Sequence, residues 1–239
     1  MGGDVIQVFI RLMILHTTLP VCTESHSPIL PSASARPTDL LSRLVAGSPI
    51  EGVELRRLKM NHDQRGCFTE VFQEHWKTCI KPVQWSIVHS QENVFRGLHL
   101  HRRHDEYISL ISGRASVGLR DLRPWSPTCG AWSLHELHGA DMACLTFPIG
   151  LLHGWYFHEA SVHLQSVSEA YIDYGKEDNW ACHWSDPALE IPWPFTDPIL
   201  ANRASDFPTM QGLVDALGEW APPEPQAYSE VAGQSAESG

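Results

Sequence analysis

The chain has 239 residues, 43% hydrophobic and 19% charged, a composition that excludes a wholly disordered or membrane-embedded protein and suits one globular domain with tails. A formal net charge of −11 excludes a broad surface for nucleic acid or anionic membrane, although a local arginine cluster can still hold a phosphate. The six cysteines (Cys22, Cys67, Cys79, Cys129, Cys144, Cys182) include no C-x-x-C pair, so neither a redox motif nor a disulfide framework is expected, and the expected compartment is the cytoplasm.

Residues 1–51 read as a flexible N-terminal extension. Its apolar stretch, 5–15, is interrupted by Arg11, is too short to span a bilayer and follows Asp4, where a secretion signal wants positive charge. Residues 25–37 (SHSPILPSASARP) read as a linker, and residues 39–45 as a short helix. A single domain is expected over residues 52–208. Within it Ala115, Val117 and Leu119 alternate with Ser116, Gly118 and Arg120, the pattern of a half-buried strand. Trp132 and Leu134 alternate with Ser133 and His135, and Val162 and Leu164 with His163 and Gln165; the last run sets Ser166 on the apolar face. Turn signals at Arg123-Pro124, Ser126-Pro127, Pro148-Ile149-Gly150 and Asp186-Pro187 separate the runs, so an all-β sandwich or barrel is expected. Residues 209–239 read as a short helix over 210–218 and a disordered acidic tail.

Chemistry concentrates in residues 96–106, Arg-Gly-Leu-His-Leu-His-Arg-Arg-His-Asp-Glu. Histidine titrates near neutrality, so His99 can serve as a general base. The same letters, with Gly113, spell His-x-His-x4-Glu-x6-Gly. On a strand His99 and His101 would project to one face, and with Glu106 and His153 they would offer three imidazoles and a carboxylate to a divalent transition metal.

Five stretches occur in the order found in one family: Arg65-Gly66-x-Phe68-x-Glu70; Asn93-Val94-x-Arg96-Gly97-Leu98-His99; Asp121-Leu122-Arg123-x-x-Ser126-Pro127-Thr128; Pro148-x-Gly150-x-x-His153-Gly154; and Trp184-x-Asp186-Pro187-Ala188-Leu189-x-Ile191-x-Trp193-Pro194. With them, residues 52–208 resemble the dTDP-4-dehydrorhamnose 3,5-epimerases. The resemblance implies a double-sheet jelly roll of the cupin type, a homodimer, no cofactor, and a dTDP-linked 4-keto-6-deoxy sugar as substrate. It implies conversion of dTDP-4-dehydro-6-deoxy-D-glucose to dTDP-4-dehydro-L-rhamnose, in dTDP-L-rhamnose and polysaccharide synthesis. It makes His99 the proton acceptor and puts Arg65, Glu70, Gln84, Ser86, Arg96, Glu106, His153, Glu177 and Arg203 at substrate-contact positions.

Three positions depart from the family pattern. Glu106 stands where the family has a lysine, Ser166 where it has a proton-donating tyrosine, and Ala204 where it has the aspartate that supports the base; Asp206 is two residues away. An ionised glutamate about 4 Å from a developing enolate opposes it by about 4 kcal/mol at an effective dielectric near 20, roughly a thousandfold in rate. Arg102 or Arg103 as replacement cation and Tyr171 as replacement phenol are the nearby substitutes in the sequence. The alternative expectations are therefore a metal-dependent cupin enzyme built on His99, His101, Glu106 and His153, or a sugar-nucleotide binding protein without turnover.

Overall fold

Short runs of strand-forming residues, cut by glycine and proline, build the framework of the described part of the chain. The computed structural model describes residues 41–174 and 177–222; the linker, Cys22 and the expected tail beyond residue 222 lie outside them. The strands are β1 (Arg43–Gly47), β2 (Glu54–Arg57), β3 (Met60–Asp63), β4 (Gly66–Thr69), β5 (Gln84–Ser90), β6 (Phe95–Leu100), β7 (Glu106–Ser112), β8 (Arg114–Asp121), β9 (Trp132–His138), β10 (Ala143–Phe147), β11 (Leu151–Phe157), β12 (Ser161–Val167) and β13 (Trp180–Ala181), with helices α1 (Tyr171–Tyr174) and α2 (Met210–Leu217). One sheet has the order β1-β9-β8-β11-β6-β13, the other β2-β10-β7-β12-β5, and β3 and β4 form a separate hairpin. Every ladder is antiparallel. This is the double-sheet jelly roll the sequence led us to expect.

The inner faces of the two sheets meet in a core of Ile108, Leu110 and Phe147 from one side and Val117, Leu119, Trp155 and Phe157 from the other. The half-buried expectation for β8 is corrected: Ser116 is as buried as Val117, and Gly118 lies under the Trp193 ring, where an added Cβ would come within 2.3 Å. A second apolar layer covers the outside of the six-stranded sheet, bringing Leu189, Ile191, Leu213 and Leu217 onto Phe95, Leu98 and Leu100. A third, with Leu58, Phe72, Trp76 and Ile80 around Tyr107, covers part of the other sheet. Strands covered on both faces lose the clean alternation of an open sheet.

The domain extends past both expected boundaries. Residues 43–47 are not helical: as β1 they pair with β9, backbone pairing in the sheet overriding local helix propensity, while residues 39–40 lie outside the described part. At the other end α2 is part of the domain, because Leu213 and Leu217, one turn apart, are buried in the second layer. Thr209 caps α2, its Oγ1 accepting from Gly212 N at 3.1 Å. The five described cysteines are free thiols.

Candidate active site

β6 and β11 carry the site, and glycine lets them approach. Gly97 has φ +125°, and a Cβ there would come within 2.8 Å of Gly154 Cα and His153 O. The register shifts at that point, between His153 and Gly154, and sets His153 opposite His99. From the facing sheet, β7 and β12 pair Glu106 with Val167 and Ile108 with Gln165, so Glu106, Gln165, Val167 and His163 all face inward. The result is a cavity of ≈ 220 Å³ whose walls include Arg96, His99, Glu106, His153, Gln165 and Arg203. A neighbouring cavity of ≈ 260 Å³ shares Arg96, His99 and Arg203 with it.

The His99 imidazole is held in its neutral form. Burial first, then His153, His101 and Arg203, push its imidazole down to about 3. Its Nδ1 is buried without a hydrogen-bond partner. Among the described residues no carboxylate hydrogen-bonds to it: Ala204 is buried at the aspartate position, Asp206 is exposed with its carboxylate against Ser205, and the Phe207 ring meets His99 edge-on at 5.6 Å. Arg96 is held by Nε donating to Ser90 Oγ at 2.9 Å and Nη2 to His89 O at 3.1 Å.

Glu106, 2% exposed, is ringed by imidazoles. Its Oε1 lies 3.2 Å from His101 Nε2, 3.3 Å from His153 Nε2 and 3.8 Å from His104 Nε2, and its Oε2 accepts from Gln165 Nε2 at 3.0 Å. For His104, burial is overcome by Asp178 and Glu106, which raise it to about 9. His104 is thus a buried imidazolium between two carboxylates.

Other expected residues stand elsewhere. Ser166 is on the opposite face of β12 from the cavity, paired with Trp85 and Tyr107, and its Oγ donates to Gln84 O at 2.7 Å. Burial of both faces misled the alternation argument: Val162 and Leu164 face outward and His163 and Gln165 inward. Arg65 and Glu70 are exposed around the β3–β4 hairpin, Arg65 paired with Asp63 and Glu70 accepting from Gln73. Glu177 is exposed, Gln84 Oε1 accepts from Tyr171 N, and neither these nor Ser86 line the cavity. The substitute cations point away, Arg103 to Glu169 and Arg102 over the Trp220 ring, and Tyr171 is 45% exposed. Of the four expected metal ligands, His101, Glu106 and His153 come together, and His99 does not join them. Sequence reasoning missed His104, His163, Gln165 and Asn179 in the cavity wall. The signal for two of them was available, since His163 and Gln165 alternate on one strand face.

An inward-facing imidazole cluster in the cavity of a double-sheet jelly roll is a cupin-type pocket. The family model described as dTDP-4-dehydrorhamnose 3,5-epimerase matches residues 47–212, and the chain belongs to that family of sugar-nucleotide isomerases. It is 30% identical over 172 residues to the dTDP-4-dehydrorhamnose 3,5-epimerase of Sinorhizobium fredii, covering 67% of this chain and 86% of that one. It is also 30% identical over 178 residues to that of Salmonella typhimurium, covering 70% and 95%. Among solved structures, the Legionella pneumophila epimerase in complex with dTDP-4-keto-L-rhamnose superposes with a TM-score of 0.62 at 26% identity, over 71% of this chain and 93% of that one.

Proposed function

We propose that this protein epimerises a dTDP-linked 4-keto-6-deoxy sugar, converting dTDP-4-dehydro-6-deoxy-D-glucose to dTDP-4-dehydro-L-rhamnose for dTDP-L-rhamnose and polysaccharide synthesis. The observation that carries this reading is His99, a buried neutral imidazole where two cavities edged by Arg96 and Arg203 meet. The C4 ketone acidifies the hydrogens on C3 and C5. His99 removes one as the enolate forms, and a proton returned to the opposite face inverts the centre. Arg96 and Arg203 hold the diphosphate through their guanidinium donors. The charge that develops on the C4 oxygen requires a donor or cation. With Glu106 at the lysine position, that role passes to the groups packed around Glu106.

The active unit is a cytoplasmic homodimer. β5 is the edge strand of its sheet, and Val83 just before it, with Trp85 and Ile87 on it, is exposed at 60%, 41% and 68%, an apolar stripe along a sheet edge. Arg65 and Glu70, exposed outside their own chain's cavity, serve the second site of that dimer. Among the described residues no helix is long and apolar enough to cross a membrane.

Incubation with the 4-keto substrate in deuterated water should place deuterium at C3 and C5, and His99→Asn should lower both exchange rates by about 10²–10⁴-fold. Incorporation at neither carbon, with the nucleotide still bound, would instead identify a binding protein without turnover. Light scattering should give twice the chain mass, and Ile87→Glu should halve it.

A further inference from the structure

The hydrogen-bond directions around Glu106 do not fit an ordinary buried carboxylate. His153 Nδ1 lies 2.9 Å from Leu151 O, and His101 Nδ1 lies 2.6 Å from Asp178 O. A carbonyl oxygen only accepts, so each Nδ1 carries the hydrogen, and a neutral ring then presents a bare lone pair at Nε2. Both Nε2 atoms face the same oxygen, Glu106 Oε1, at 3.2 and 3.3 Å. Two lone pairs against an anion repel unless positive charge lies among them. His153 Nε2 is buried in a residue 1% exposed, and it makes no hydrogen bond despite its approach to Glu106. Protonating both rings would add two positive charges to a pocket whose wall already includes Arg96 and Arg203.

The spacing suits a shared cation. Two ligand atoms each about 2.1 Å from one ion stand about 3.0–3.5 Å apart at tetrahedral or octahedral angles. The three donor atoms of His101, Glu106 and His153 all lie within 4.8 Å of one another. Their outer contacts are those of a metal site as well: each imidazole donates its other N–H to a main-chain carbonyl, and Gln165 holds the second carboxylate oxygen. A second grouping, His101, His104 and Asp178, is less suited, because Asp178 already accepts from Arg102 N and Arg103 N at 2.8 and 3.0 Å.

We propose that His101 Nε2, Glu106 Oε1 and His153 Nε2 form a binding site for one divalent transition-metal ion, with His99 outside the ligand set. The His99 ring lies 6.5 Å from that of His101, so the base stays free beside the ion. Glu106 then provides a place for a cation where a lysine would have supplied one. An ion there would act as Lewis acid toward an enolate oxygen; that role rests on the epimerase reading, whereas the binding site does not.

The test uses untagged full-length protein, stripped with a chelator and titrated calorimetrically with Zn²⁺ and Co²⁺, with visible absorption followed for Co²⁺. One equivalent per chain is expected. Glu106→Gln and His153→Asn should each weaken binding by at least about 100-fold, more than loss of an outer-shell partner does, and His99→Asn should leave it unchanged. Gln keeps the volume of residue 106, and urea unfolding of the stripped variants verifies that they are folded. The proposal is overturned by the absence of stoichiometric binding, by wild-type affinity in both ligand variants, or by loss of binding in His99→Asn. Metal binding without deuterium exchange would sink the epimerase reading and leave the site standing.

Discussion

Asp121 and Glu106 are both buried carboxylates, yet their surroundings are opposite. Asp121, fully buried, is met by donors: Arg123 Nε and Nη2 at 2.9 and 2.8 Å, and Ser126 Oγ and Thr128 Oγ1 at 2.7 Å each. Burial opposes its charge, and Arg123, Ser126 and Thr128 together outweigh that and hold the carboxyl below its usual range. This loop network is complete within the protein. Glu106 faces the Nε2 atoms of His101 and His153, whose hydrogens are directed to carbonyls on the far side of each ring, an arrangement that leaves room for something to bind. A fully satisfied buried charge stabilises a fold, whereas a buried charge short of donors marks a site.

The contrast can be broken by experiment. The largest effect should come from Arg123→Ala, which leaves Asp121 buried and unpaired and should lower unfolding free energy by about 3–5 kcal/mol in urea titrations. Asp121→Asn should follow at about 1–3 kcal/mol, since its amide turns a donor toward Arg123, Ser126 or Thr128. Glu106→Gln should behave differently in metal-free protein. The new N–H group can donate to a ring nitrogen of His101 or His153, so stability should stay within about 1 kcal/mol of the parent or rise. A loss as large as that of Asp121→Asn would mean the imidazoles are donors and the two sites are alike.

Acid should reveal a further difference. Burial pushes His135, His158 and His163 each down to about 4. The unfolded chain takes up those protons near pH 6.5 and the folded chain only near 4, so the contribution of these three neutral rings is full above pH 6.5 and falls as pH drops through that window. Asp121, with its lowered pKa, stays charged through the same window and contributes to the loss only below about pH 4. Chemical denaturation at a series of pH values from 6.5 to 4.5 should show a steady decline in Arg123-intact protein. The smallest effect belongs to the surface: Arg65→Ala should change stability by less than about 0.5 kcal/mol while weakening substrate binding in the dimer.

The jelly roll was legible because ordered motifs and turn residues mark it at many places along the chain. The place of His99 in the cavity wall was legible because it sits inside Arg-Gly-Leu-His. The face of β12 was not, because alternation reports a core face only when the other face is in water, and here both are covered. The β1 strand was missed for a related reason: its pairing partner, β9, lies some ninety residues away and leaves no local trace. The separation of His99 from the His101, Glu106 and His153 group depends on the bulge between β6 and β11, a register detail that spacing along the chain does not carry.

The two-residue repeat of β12 also decides how its chemistry could be rebuilt. A phenol introduced at Ser166 would enter the sheet's outer layer beside Trp85 and Tyr107, crowding a packed surface without reaching the sugar pocket. The same ring placed at Gln165 would enter the cavity, at the cost of the amide that steadies Glu106. Restoring a proton donor and keeping the carboxylate in place are therefore competing demands on one side chain, and Val167, the next inward position along the strand, is where a designer could meet both.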